Sequence, residues 1–162
     1  MSGIPFKKNN IFMKYIFKII ILLFTAYLGW IFVSASLDKI IDPHQFSKSI
    51  SNYQITPYWI NNLVALILPW VELICGILMF VAIYLLFYQK SNFIDIPNNM
   101  IIAMLLWFIF ILSIAVYRGL DIDCGCGVGK DISPAERLIE DIYLLMFSII
   151  IKFRLRIAQF FK

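Results

Sequence analysis

The sequence predicts an all-α integral membrane protein, a four-helix bundle running up-down-up-down through a bilayer, and three observations carry that prediction. Of 162 residues, 62% are apolar and 15% charged, and the mean hydropathy is +0.86. Ordinary soluble domains are nearer about 45–50% apolar and about 25% charged, and a globule of this length cannot hide the excess. Second, the charges divide the chain into uncharged runs of crossing length. Third, the basic residues flank those runs instead of collecting on a polar surface, which is how membrane topology is set. Despite a net charge of +4, no aromatic and basic surface for nucleic acid is visible, so the lipid bilayer and not nucleic acid is the expected partner. Disordered chains and fibres are excluded by the same composition, and three cysteines are too few for a stapled secreted scaffold.

The first run, Ile19 to Leu37, holds 19 uncharged residues and predicts a crossing at about 14–37, since about 20 apolar residues span the hydrocarbon core as a helix. Lysines precede it and Val33-Ser34-Ala35 resembles a cleavage site. Its apolar part nevertheless exceeds the usual ~7–15-residue signal core, so it is read as a retained helix. Runs of 23 residues (Ser49–Val71) and 17 residues (Leu73–Gln89) meet at Glu72, giving a second crossing at about 59–88. The third, about 96–117, covers a 22-residue run, Ile96–Tyr117.

The fourth rests on a cap. Only 10 uncharged residues separate Asp141 from Lys152, too few to span, but Ser133-Pro134-Ala135-Glu136 reads as a capping box with proline at the first helical position. A helix over 134–154 is then about 30 Å long. Arg137 can pair with Asp141 four residues on, while Glu136 and Glu140 share a face. Four crossings put both termini on one side. Lys7, Lys8, Lys14, Lys18, Lys90, Lys152, Arg154, Arg156 and Lys162 fall there, against Lys39, Lys48, Arg118, Lys130 and Arg137 opposite. The positive-inside rule assigns the termini to the cytoplasm. Trp30, Tyr58, Trp59 and Tyr88 are candidate interfacial anchors. The whole chain is one membrane domain without internal repeats.

Two outward loops remain, Asp38–Tyr58 and Arg118–Ile132, and the second carries the chemistry. Cys124 and Cys126 flank Gly125, with Gly127 and Gly129 beyond. On this topology the loop is periplasmic or extracellular, on the oxidising side of the cytoplasmic membrane. A bridge between cysteines one residue apart closes a tight ring, and strain makes such a bond easily reduced, which suits exchange better than a structural staple. Idle thiols, a fixed local bridge and a soft-metal site remain alternatives. Asp121 and Asp123 oppose Lys130 and Arg118 in setting thiolate character. The other cysteine, Cys75, lies inside the second crossing and reads as a small hydrophobe.

Glu72 is an ionisable residue within a crossing, an arrangement costly unless it is paired or faces a cavity. Lys39, at the outer end of the first crossing, is the expected partner, with Arg118 and Arg137 as alternatives. The pair would fix the register of the bundle. The sharper reading makes Glu72 a proton acceptor or part of a quinone pocket. Pro69 frees a backbone carbonyl upstream of Glu72. His44, after Asp42-Pro43, reads as a surface residue. Gly29, Ser34, Ala35 and Gly76 are small enough for close helix contact.

Over roughly residues 19–152 these features resemble the DoxX-like membrane proteins, and within them the MauE branch, named for methylamine utilisation. The resemblance lies in Gly29 and Ser34-Ala35-Ser36-Leu37-Asp38-Lys39, Asp42-Pro43 through Phe46, Tyr53 and Pro57, Pro69-x-x-Glu72-x-x-x-Gly76, and Asp123-Cys124-Gly125-Cys126-Gly127. It implies a four-helix membrane bundle with the C-G-C loop in the periplasm, associated with thiol redox work. It also implies a link to maturation of methylamine dehydrogenase or, in other relatives, to thiosulfate:quinone oxidoreduction. Relatives often read C-G-C-F-G, and Gly127-Val128-Gly129 departs from that.

The expected function is thiol–disulfide exchange by Cys124 and Cys126 with a periplasmic redox protein, supported by Glu72 and Lys39. The alternatives are a non-catalytic membrane anchor subunit and an oxidoreductase subunit passing electrons to quinone, the one cofactor under consideration.

Overall fold

The computed structural model describes residues 6–53, 57–87, 93–119 and 133–160. Its elements are α1 (Phe6–Ile41), α2 (Pro43–Asn52), α3 (Tyr58–Phe87), α4 (Asp95–Tyr117), α5 (Pro134–Lys152) and α6 (Arg154–Phe160). The described residues contain no strand. Three helices are long and apolar enough to cross a membrane: Tyr15–Ile41 within α1, Trp59–Leu86 within α3, and Asp95–Tyr117. They match the first three expected crossings, except that α1 runs a turn past Leu37.

That extension ends for a local reason. Proline disfavours helical geometry in the residue before it, and Asp42, before Pro43, sits at φ −127° and ψ 77°. Its carboxylate accepts from the Gln45 N–H at 2.9 Å, and Pro43 occupies the first helical turn. These are the marks of a helix start. The segment Asp38–Tyr58, expected to be a loop, is therefore mostly helical. α2 buries Phe46, Ser47 and Ser49 and packs along α3. Ser47 donates to the Asn62 side chain, and Asn61 donates to the Ser51 hydroxyl at 3.0 Å. His44 is exposed on α2, as expected of a surface residue.

α5 starts at the expected capping box. The Ser133 hydroxyl accepts from the Glu136 N–H at 3.3 Å, and the Glu136 carboxylate accepts from the Ser133 N–H at 3.2 Å. The charged residues of its early turns set it apart from the three more apolar helices.

The chain's surface is apolar. Trp59, Leu66, Trp70, Trp107 and Phe110 all point outward, an arrangement that fits a bilayer and not water. The packed interior includes Leu28, Phe32, Cys75, Met79, Ile101, Leu105, Leu144 and Ile151. Contacts are most extensive between α1 and α3, then between α4 and α5, and α1–α5 and α3–α4 contacts link the two pairs.

Gly29 and Gly76 set the α1–α3 approach. A Cβ on Gly76 would lie 2.8 Å from Val33 Cγ2 and 3.0 Å from the Gly29 carbonyl oxygen. Small residues in this role let two backbones touch. α4 and α5 are held by polar groups: Asn98 Nδ2 donates to the Ser148 carbonyl at 2.9 Å, and the Arg154 guanidinium pairs with Asp95. A smaller cluster of Tyr53, Leu112 and Ala115, with Ile111 and Leu138 against it, gathers the end of α2, the end of α4 and the start of α5 at one end of the molecule.

Candidate functional site

The feature that organises this end is a buried ion pair. The Lys39 ammonium donates to both carboxylate oxygens of Glu72, at 2.7 and 2.8 Å, and the two side chains are only 4% and 3% exposed. Of the three expected partners for Glu72, the structure selects Lys39. Arg118 is exposed at the end of α4, while Arg137 bonds to Glu140 at 2.9 Å and lies 3.5 Å from Asp141. The Lys39 ammonium also stands 5.1 Å from the centroid of the Phe46 ring and 5.6 Å from that of Phe108. Both distances are within reach of cation–π attraction. Thus α1 supplies the cation, α3 the anion, and α2 and α4 an aromatic ring each.

The pair does not sit at the rim. Glu72 is 13 residues beyond Trp59 on α3, about 20 Å along the axis at ~1.5 Å per residue. Lys39 reaches it because α2 replaces α1 alongside the first half of α3. With both side chains almost fully buried among the described residues, the pairing must compensate both charges.

Asp141 is the neighbouring acid, which its spacing in the sequence connects only to Arg137. It is 1% exposed, and together with Glu72 and Arg137 it lines a small cavity closed by Ile31, Phe32, Ala35, Leu105, Phe108 and Leu144. Its volume is about 10 Å³, close to what one water needs. Asp141 Oδ1 accepts no hydrogen bond from the described residues. Sequence periodicity could not reveal the juxtaposition with Glu72, because it depends on the relative rotation of α3 and α5.

Cys124 and Cys126 lie outside the described residues. Gly119, at φ +63°, and Ser133, the α5 cap, flank their segment. Cys75 is fully buried, with its sulfur 4.0 Å from that of Met100, the setting expected of a packing residue. Tyr88 too lies outside the described residues, whereas Trp30 and Trp59 are exposed.

Among known families, residues 17–154 fit the family model described as methylamine utilisation protein MauE. No curated protein and no solved structure matches the chain.

Proposed function

The chain belongs to the MauE family, and from that premise we propose that it performs thiol–disulfide exchange at the outer face of the cytoplasmic membrane. In this reading α5 is a fourth crossing, the helices run up-down-up-down, both termini are cytoplasmic, and the segment between α4 and α5 is periplasmic. Cys124 and Cys126 are the exchanging pair, and Lys39 and Glu72 hold α1 and α3 in register beneath them. The substrate is a periplasmic protein with cysteines to be oxidised, and the family supports one that serves methylamine utilisation.

The observation that carries the proposal is the placement of Cys124-Gly125-Cys126 between Gly119 and Ser133. Both flanking helix ends belong to the end of the molecule where α2 and the polar cluster lie. In the exchange, a substrate thiolate attacks one sulfur of the Cys124–Cys126 disulfide and displaces the other as thiolate. A second substrate thiolate then resolves the mixed disulfide, leaving an oxidised substrate and a reduced pair. Ring strain in a C-x-C disulfide favours this direction.

The test is alkylation of intact cells with a membrane-impermeant thiol reagent. Cys124 and Cys126 label only after reduction if the loop is outside and oxidised, and replacing either cysteine by serine abolishes the exchange. Free labelling without reduction removes the exchange reading, and labelling only in opened membranes inverts the topology. Full function with both cysteines replaced by serine leaves a non-catalytic anchor.

A further inference from the structure

The small cavity between α1, α3, α4 and α5 contains more negative than positive charge. Asp141 lines it beside Glu72, is 1% exposed, and its Oδ1 takes no hydrogen bond from the described residues. The Lys39 ammonium is taken by Glu72, to whose two carboxylate oxygens it donates. Arg137 is shared between two acids: it bonds to Glu140 at 2.9 Å, and its Nε stands 3.5 Å from Asp141 Oδ1. Two cations thus face three acids. A buried acid that lacks a full set of partners takes up a proton in place of keeping its charge.

We propose that this cavity is a proton-binding site, with the proton carried on Asp141 Oδ1. The Asp141 hydroxyl then donates to a single water, for which the volume of about 10 Å³ is close to sufficient, and that water donates to Glu72. Glu72 is the acceptor and not the carrier, because both of its oxygens already accept from Lys39. A metal ion suits the space poorly, since Lys39 and Arg137 stand beside the two acids of its lining.

The groups facing Asp141 are Lys39 from α1, Glu72 from α3, and Arg137 and Glu140 from its own helix. α4 contributes Leu105 and Phe108, which do not titrate. When Asp141 is ionised it competes with Glu140 for the guanidinium, and when it is protonated that competition ends. Arg137, Ile31 and Leu144 line both the cavity and an outer groove of about 290 Å³ between α1 and α5, which also takes in Glu140. Loss of the proton therefore draws Arg137 inward, and its return releases Arg137 to Glu140. The proton comes from water at the groove and goes back to it, and the O–H bond on Asp141 is the one bond made or broken. The exchange reading plays no part in this site.

The test is infrared difference spectroscopy of the full-length chain in dodecyl maltoside, a detergent without carbonyl groups, stepped from about pH 5 to about pH 9. A protonated-carboxyl C=O band is expected that shifts in heavy water, disappears as the pH rises, and is missing from Asp141→Asn. In Glu140→Gln, Arg137 keeps Asp141 as its one charged partner on α5, so the band should vanish at a pH lower by about one unit. Absence of any such band, or a band that survives in Asp141→Asn, would overturn the proposal. Glu140 is exposed, so its variant decides the matter if Asp141→Asn does not fold: a band with unaltered pH dependence in Glu140→Gln overturns it as well.

Discussion

Replacing either member of the Lys39–Glu72 pair should cost far more than replacing both. With side chains 4% and 3% exposed and two hydrogen bonds between them, each charge has its partner in place of solvent. Glu72→Leu leaves the Lys39 ammonium buried, with the Phe46 and Phe108 rings and the more distant Asp141 carboxylate as its remaining partners, and Lys39→Met leaves a buried carboxylate. Breaking a buried pair in this way costs about 3–5 kcal/mol, whereas exchanging the whole pair for apolar residues of similar volume is often near neutral. Lys39→Met with Glu72→Leu should therefore lie within about 1 kcal/mol of the parent. The coupling energy between the sites is then about 5 kcal/mol or more, above the ordinary range for neighbouring residues. The assay is reversible unfolding in mixed micelles, following tryptophan fluorescence as the fraction of denaturing detergent rises. Single variants each costing under about 1 kcal/mol, or a double variant costing the sum of the singles, would refute the claim that the pair is desolvated and mutually compensating.

Three further outcomes follow from the packing. Gly76→Leu should separate α1 from α3 and destabilise by about 1–3 kcal/mol or more, as overpacking does. Gly29→Ala should be milder, because its Cβ meets neighbours at 3.2–3.3 Å; equal effects in the same unfolding assay would contradict the geometry. Ser133→Ala removes the α5 cap and should cost about 1 kcal/mol, seen as faster amide exchange confined to the first turn of α5. Gly119→Ala meets nothing within 4 Å but must adopt φ +63°, so it should lose about 1–2 kcal/mol from backbone strain alone, a loss that Asn at the same position should reduce.

The three helices of crossing length are legible in the sequence because apolar run length and flanking charge mark them, and so is the cap on α5, because Ser133-Pro134-Ala135-Glu136 is a local signal. Lys39 is legible as the partner of Glu72 on the ground that an intramembrane acid needs a cation. Its depth is not, since that depends on α2, and Asp42-Pro43 suits the start of a loop as well as the start of a helix. Helices as apolar as α3 and α4 carry almost no amphipathic stripe, so sequence does not show which side turns inward. That is why Phe108 over the lysine, Asn98 bonded to the Ser148 carbonyl and Asp141 beside Glu72 emerge only from the packed chain.

The Lys39–Glu72 contact spans 33 positions, and those positions are made in order. At about 5–20 residues per second of synthesis, the lysine waits about 2–7 seconds for its acid to leave the ribosome. Lys39 lies at the end of the α1 span and can wait at the membrane surface, but Glu72 lies near the middle of the α3 span, where a charge in lipid costs roughly 2.5–3.5 kcal/mol. α3 therefore settles in lipid only against an α1 already in place, and the lysine moves inward as the two helices pack. Lys39→Met should therefore leave α3 extractable while α1 stays inserted, which makes the ion pair a checkpoint in assembly as well as a bond in the finished protein.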